Sequence, residues 1–371
     1  MKITLVISTF GCGGAERVLV SLAKGFIDRG HDVTVVTWSP KNTDFYQLPS
    51  GCSRIAMGIM GDSKGLFEAL RNNIRRVALL RKTIESTTPD IVISFLRITN
   101  IVTILALLGT KYPLIVTEHN DVKVFSYSLV WETLRRLTYR FSTLVVSVSK
   151  GVDSGFDPLS KSKRAIIYNP IVIKDDEQVD KLPESVDFTK KWLISMGRLN
   201  EQKGFDLLLP AFHQVASKFP DWQLLILGRG ELLQRLEKMR DDLNLSDQVV
   251  FTGALNNPFA ILKKAKIFVM ASRNEGFPMA HAEALACGLP VIATDCPSGP
   301  SEMIRPGVDG ILVPNKDIAA LAKAMESLMS DESKRQQLAA KAPEVLERFG
   351  LDTILTEWEN LIHKLVEKKA K

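Results

Sequence analysis

The sequence predicts an α/β fold built from two parallel-sheet domains in tandem, and three observations carry that expectation. Short β-branched runs alternate with amphipathic helical stretches from end to end, the pattern of strand–helix–strand units. The alternation pauses at a polar connector, Lys174-Asp175-Asp176-Glu177, and then restarts with strands of the same kind. The length of 371 residues suits two domains of roughly 100–200 residues each. The domains are expected at 1–173 and 174–350, with 351–371 a C-terminal helix crossing back to the first domain.

In order along the chain, residues 3–8 form the first strand and lead through a glycine-rich turn into a helix over 15–29. Strands follow at 32–37, 91–94, 114–117 and 144–147, each rich in Val, Ile, Leu and Thr, and a long helix occupies 64–86. Asn169-Pro170 opens a turn before the connector. The second half has strands at 192–196, 223–227, 249–252, 267–270 and 291–293, and an amphipathic stretch over 352–366 closes the chain. Two such domains place the expected active site in a cleft between them.

Composition removes several classes. Apolar residues make up 45% and charged residues 24%, which fits an ordinary folded protein rather than a disordered or fibrous one. The net charge of +6 is unevenly spread: residues 1–173 hold 22 Lys/Arg against 13 Asp/Glu, the remainder 26 against 29. A large anionic partner should therefore prefer the first half. Cys12, Cys52, Cys287 and Cys296 are scattered without a C-x-x-C pair, so neither structural zinc nor a disulfide framework is expected, and a reducing cytosol is the natural home. The first eight residues are too short an apolar run for a signal peptide. The apolar stretch 91–116 contains Arg97, Asn100, Lys111, Gly109 and Pro113, so it reads as strand, helix and strand rather than as a membrane span.

The chemistry-bearing residues lie on loops after strands. Gly11-Cys12-Gly13-Gly14-Ala15-Glu16 follows the first strand and precedes a helix, where backbone N–H groups can face a phosphate. A tight connection is the plain alternative. A dinucleotide site would need a carboxylate at the end of the second strand, and Val36-Thr37-Trp38-Ser39 has none. In the second half, Arg198 and Lys203 stand five apart on a loop bounded by Gly197 and Gly204, and can converge on one diphosphate. Glu275-Gly276-Phe277-Pro278 opens a helix that ends at Gly288, so its N-terminal N–H groups lie just behind Glu275. Glu283 on that helix is either a solvated carboxylate or a buried one paired with a ribose diol, since Ala282, Ala284, Leu285 and Ala286 around it are apolar.

These residues resemble the signature of the retaining GT-B glycosyltransferases of family 4. The likeness rests on Gly197-Arg198-Leu199 with Lys203-Gly204, on the Glu275–x7–Glu283 pair running on to Pro290-Val291-Ile292-Ala293-Thr294, on Gly13-Gly14-Ala15-Glu16-Arg17 and on residues 307–314. It implies a GT-B fold of two Rossmann-like parallel-sheet domains facing a cleft. It also implies that Arg198 and Lys203 bind the donor diphosphate, Glu275 faces the donor sugar and Glu283 accepts from the ribose hydroxyls. Gly13 and Gly14 would close over the donor, Gly228-Arg229-Gly230 would lie beside base and ribose, and Gly276, Phe277 and Pro278 complete the donor loop. His119, in Thr117-Glu118-His119-Asn120, matches the family's cleft histidine, with a core histidine as the alternative. His31, His213, His281 and His363 read as structural. No D-x-D motif occurs, so no metal and no further cofactor is expected beside the nucleotide sugar, with UDP the nucleotide favoured and GDP left open.

On the helix over 64–86, Lys64, Arg71, Arg75 and Lys82 fall within about 40° of one line about 27 Å long. Leu66, Phe67, Leu70, Ile74, Val77, Ala78 and Ile84 gather on a neighbouring face. This is either a solvated face with Glu68 among the bases or a grip on an anionic acceptor. Within the family, Gly13-Gly14-Ala15-Glu16-Arg17, Ile93-Ser94-Phe95-Leu96 with Thr99-Asn100, Glu118-His119 and Leu134-Arg135-Arg136 make the chain similar to the processive N-acetylgalactosaminyltransferases that act on undecaprenyl-diphosphate-linked glycans. That resemblance implies a polyprenyl-diphosphate-linked acceptor held by Arg71, Arg75 and Lys82. Residues 124–131 with Arg135, Arg136 and Arg140 add apolar and basic groups suited to an anionic membrane surface. The expected protein is cytoplasmic and peripheral to the inner face of the membrane. A soluble-acceptor transferase and a non-catalytic sugar-nucleotide binder remain as alternatives. Nucleic acid is not an expected partner, because no binding module or interleaved aromatics accompany the basic line.

Overall fold

Strands form in this chain where β-branched and leucine side chains are buried on both faces, as parallel sheets covered by helices require. The structure, a computed structural model, describes residues 1–11, 13–60, 66–124, 128–173 and 180–370, with the backbone alone at 66–70 and 368–370. Cys12, Lys64, Gly65, residues 125–127 and the connector 174–177 lie outside the described residues, as do the side chains of Leu66, Phe67, Glu68 and Leu70.

The chain divides into two units, one of residues 1–170 with 349–371 and one of residues 171–348. The first contains β1 (Lys2–Ile7), α1 (Gly14–Asp28), β2 (Asp32–Thr37), β3 (Ser53–Ala56), α2 (Leu66–Ser86), β4 (Ile91–Phe95) and α3 (Arg97–Leu107). It continues with β5 (Leu114–Glu118), α4 (Leu129–Thr138), β6 (Leu144–Ser147), α5 (Lys150–Asp153) and β7 (Arg164–Ile166). The second unit begins with β8 (Lys191–Met196), α6 (Phe205–Ala216), β9 (Trp222–Leu227), α7 (Leu233–Asp242), β10 (Val249–Gly253) and α8 (Phe259–Leu262). Next come β11 (Ile267–Met270), α9 (Met279–Ala286), β12 (Val291–Asp295), α10 (Pro300–Met303), β13 (Gly310–Pro314), α11 (Ile318–Ser330), α12 (Glu332–Lys341) and α13 (Val345–Phe349). The last helix, α14 (Leu351–Ala370), belongs to the first unit.

Both units are Rossmann-like. Their sheets run β3-β2-β1-β4-β5-β6-β7 and β10-β9-β8-β11-β12-β13, with the named strand pairs parallel. The order reverses beside the first strand of each sheet, between β1 and β4 and between β8 and β11. Loops at the carboxyl ends of those strands diverge and leave a crevice for a ligand.

The core of the first unit joins Ile3, Leu5 and Ile7 of β1 to Val18, Leu19, Leu22 and Phe26 of α1, and to Ile354, Leu355, Trp358 and Ile362 of α14. α1 and α14 approach so closely that a Cβ at Gly25 would stand 2.2 Å from Leu355 Cδ1. Polar ties close the same seam: Arg29 Nη1 donates to Glu359 Oε2 at 2.6 Å, and His31 Nε2 pairs with Glu359 Oε1 at 2.8 Å. In the second unit Leu193, Phe205, Leu208, Phe212, Trp222, Leu224 and Ile226 pack with Met325 and Leu328 of α11.

Three sequence expectations need correction. β3, β7 and β13 were not expected; all three are edge strands, and none is buried along its whole length, so none carries the apolar signal of an interior strand. On α2 the buried line passes through Leu80 and Ile84, while Ile74, placed on the apolar face above, is 61% exposed and Ala78 is exposed with it. Arg135, grouped with the outward basic residues, points inward and is buried.

Candidate active site

The crevice of the second unit collects most of the expected donor residues. After β8, Asn200 caps a single 3-10 turn over Glu201–Lys203, its Oδ1 accepting from Lys203 N at 3.3 Å. Gly204 then adopts φ +66, and a Cβ there would lie 2.0 Å from the carbonyl oxygen of Ala271. Only glycine permits both the left-handed backbone and that approach, which presses this loop against the end of β11. The loop after β11 answers: Arg273 N donates to Gln202 O at 2.8 Å and Gln202 Nε2 to Asn274 O at 3.0 Å. Arg273 also grips Asp206 with both guanidinium nitrogens, at 2.8 and 2.7 Å, the bidentate geometry that suits a planar fork.

The result is a fixed pair of opposite charges. Lys203 Nζ donates to Glu275 Oε1 at 2.7 Å, and Ser272 Oγ donates to the same oxygen at 2.6 Å. Glu275 is buried and Lys203 half-buried, so the ammonium reaches the crevice while the carboxylate is held behind it. Arg198, on the same loop, is exposed. Gly276, Phe277 and Pro278 are buried and lead into α9, with Pro278 at its N-cap. On α9, Glu283 is buried among Ala282, Ala284, Leu285 and Ala286, which removes the solvated-carboxylate reading.

The loop after β9 runs alongside. Gly197 N donates to Leu227 O and Leu199 N to Arg229 O, each at 2.9 Å. Gly228 has φ +153, and a Cβ on it would stand 1.9 Å from Gly197 O. Gly230 is equally tight against Leu199 O, at 2.3 Å. Gly197, Gly228 and Gly230 therefore zip the two loops together, and Arg229 is carried outward to the surface. His281 is buried edge-on to Phe268, and burial pushes its pKa down to about 4.

In the first unit, His119 follows β5. Its ring stacks on Phe95 at 5.8 Å, and Nε2 lies 3.1 Å from Thr117 Oγ1. Thr117 Oγ1 donates its one proton to Ser94 O at 3.0 Å. It must therefore accept from His119, which fixes the Nε2–H tautomer and leaves Nδ1 as an acceptor. Burial lowers the His119 pKa to about 4, so the ring is neutral at physiological pH. Its neighbour Glu118 points to the opposite face of the sheet, as strand alternation requires, and is fully buried where His119 is half-buried. Gly13 is the N-cap of α1, and a Cβ there would stand 2.1 Å from Glu16 Oε2. The carboxylate of Glu16, which accepts from Thr9 Oγ1 at 3.0 Å, thus lies at this helix start beside Gly13, while Gly14 is open. Arg71, Arg75 and Lys82 are all exposed on α2.

Asp206, Ser272, Gln202 and Arg273 are parts of the site that the sequence reading missed. Arg273 stood beside the Glu275 motif and could have been suspected from that adjacency; nothing in the spacing marks Asp206 or Ser272. Among the described residues, no helix is long and apolar enough to cross a membrane.

Comparison with known proteins agrees with this architecture. Residues 12–174 match the model of "Glycosyltransferase Family 4", and residues 177–345 that of "Glycosyl transferases group 1". A Campylobacter jejuni relative is 30% identical over 364 residues, covering 98% of each chain: the "GalNAc-alpha-(1->4)-GalNAc-alpha-(1->3)-diNAcBac-PP-undecaprenol alpha-1,4-N-acetyl-D-galactosaminyltransferase". The same organism's "N-acetylgalactosamine-N,N'-diacetylbacillosaminyl-diphospho-undecaprenol 4-alpha-N-acetylgalactosaminyltransferase" is 28% identical, over 92% of this chain and 93% of its own. Among solved structures, Anabaena HepE in complex with UDP superposes with a TM-score of 0.78 at 19% identity, over 98% of this chain and all of that one. The fold, the loops at the two reversal points and the full-length relatives meet in one conclusion: the chain belongs to the GT-B glycosyltransferases of family 4.

Proposed function

We propose that this glycosyltransferase moves a hexose or N-acetylhexosamine from a UDP sugar to a polyprenyl-diphosphate-linked glycan, with retention and without a metal. The process it serves would be bacterial polysaccharide or glycoprotein biosynthesis, at the cytoplasmic face of the membrane. The observation that carries the donor half is the Lys203–Glu275 pair at the sheet reversal, with Arg198 exposed on the same loop. The acceptor half is supported by the two undecaprenol-directed relatives, and UDP by the ligand of HepE.

In this reading the donor diphosphate lies on Arg198 and Lys203, with its ribose diol on Glu283 and its base and ribose beside Gly228, Arg229 and Gly230. When the sugar C1–oxygen bond breaks, negative charge grows on the departing β-phosphate, where the two cations and the α9 N-terminus stabilise it most. The acceptor oxygen bonds C1 on the face the phosphate leaves, and its proton passes to the departing phosphate oxygen. Glu275, held by Lys203 and Ser272, is left to accept from a donor-sugar hydroxyl. His119 offers a neutral Nδ1 to another, and Gly13, Gly14, Gly276, Phe277 and Pro278 shape the donor's surroundings.

The test is nucleotide release from a donor panel that includes GDP-mannose, with polyprenyl-diphosphate glycans as acceptors and the anomer of the product read by NMR. UDP release that disappears in Glu275→Gln, with an α-linked product from an α-linked donor, is the expected result. Release from GDP donors only, or an inverted product, would overturn it.

A further inference from the structure

α4 buries a charged residue and exposes apolar ones. Its buried residues are Arg135 and Thr138, with Trp131, Glu132 and Leu134 half-buried, while Leu129 is 86%, Val130 66% and Leu137 50% exposed. The outward series continues past the helix through Arg140 to Phe141, 55% exposed, with the Arg140 guanidinium over the Phe141 ring at 5.0 Å. Residues 129, 133, 136, 137, 140 and 141 are all exposed and recur at helical spacing, so they make one face.

The inward side explains why the helix holds this orientation. Arg135 Nε donates to Glu132 Oε2 at 3.1 Å, and its guanidinium lies 5.0 Å from the centre of the Phe156 ring. Arg97, fully buried, stands 3.6 Å from Glu132 and 3.9 Å from Glu118. Glu118 in turn accepts from Tyr139 and, at 3.4 Å, from Asn100 Nδ2, both buried. Taking such charges out of water is costly, and exposing leucines forgoes burial worth about 1.5–3 kcal/mol each. The network fixes the helix in this orientation, with Leu129, Val130 and Leu137 outward.

We infer that α4 is the docking element for an anionic bilayer, with Leu129, Val130, Leu137 and Phe141 entering the headgroup–acyl boundary and Arg136 and Arg140 meeting lipid phosphates. Charge decides the occupant: a second copy of the chain, facing this surface with its own Arg136 and Arg140, would place like charges together. The inference rests on the proposed function only for its purpose, since a polyprenyl-linked acceptor resides in that bilayer.

The experiment is sedimentation of the full chain with vesicles of three parts phosphatidylethanolamine to one part phosphatidylglycerol, against pure phosphatidylcholine. Unaltered protein is expected to bind the anionic vesicles and release in high salt. The pair Leu129→Asp with Val130→Asp, and separately Arg136→Glu with Arg140→Glu, should each weaken partition about tenfold. Binding of UDP should be unchanged in both, since all four positions belong to the first unit. A control pair there, Lys218→Glu with Lys323→Glu, should partition as the unaltered protein does. Equal loss in the control, no binding to anionic vesicles, or a switch from dimer to monomer in the α4 variants would overturn the inference. Normal vesicle binding without transfer to any lipid-linked glycan would instead overturn the proposed acceptor and leave this inference standing.

Discussion

Lys203 is the residue on which the site turns. Before a donor arrives its ammonium is matched by Glu275, so the cation is positioned without the cost of an unpaired buried carboxylate. A diphosphate would draw one of its three N–H donors while the others still hold Glu275. Lys203→Ala should therefore do two things at once: remove charge stabilisation from the leaving group and loosen Glu275. Loss of one preorganised donor typically lowers kcat by about two to three decades, roughly 3–4 kcal/mol. Steady-state nucleotide release with saturating donor measures it. A fall in affinity for UDP with kcat unchanged would show that Lys203 binds the ground state only. Arg273 differs in kind, since Asp206 occupies its guanidinium and its work is to hold the two loops together.

Among the elements, α14 is the one whose role is least local. It lies at the end of the chain, yet Ile354, Leu355, Trp358 and Ile362 are part of the core beneath β1 and α1. Trp358→Ala should destabilise the first unit by about 3–5 kcal/mol, the usual cost of truncating a large buried aromatic. Two units need not unfold as one, so hydrogen exchange of the full chain is the suitable readout. Amides of β1 and α1 should lose protection while those of β8 and β9 keep theirs; a uniform loss would contradict the assignment of α14 to the first unit alone. The contrast between elements also shows what could be read from the chain in advance. Interior strands such as β4 and β9 announced themselves because every residue is buried and apolar runs follow. Edge strands β3, β7 and β13 did not, since each is only partly buried. The segment of α4 misled only at Arg135, grouped with the outward bases but held inward by Glu132 and the Phe156 ring. The donor loops were legible because Gly204 and Gly228 are forced by backbone contacts that no other residue tolerates, whereas Asp206 and Ser272 serve through geometry alone.

At the scale of the whole molecule, the two sheets share one strand order but not one charge. Counted over the structural units, the first holds 26 Lys/Arg against 17 Asp/Glu and the second 22 against 25, so the net charges are +9 and −3. The C-terminal segment adds nothing to this imbalance, because residues 349–371 carry four charges of each sign. The excess therefore lies in the part of the chain before residue 171, where Arg71, Arg75 and Lys82 stand exposed on α2. In the proposed reading, a donor diphosphate needs only the few fixed cations of the second unit, whose overall charge is slightly negative. A membrane-bound diphosphate approached from solution is a different task, in which a sustained positive field raises the encounter rate and salt screens it. Arg71→Glu with Arg75→Glu should consequently lower kcat/KM for a polyprenyl-diphosphate glycan at low ionic strength and leave UDP affinity as it was. The difference from unaltered protein should shrink as salt rises past physiological strength, where the Debye length falls below about 8 Å. Equal loss of acceptor use and UDP binding would mean that the double change has damaged the fold. Loss of neither would reduce the basic line on α2 to a solvated helix face.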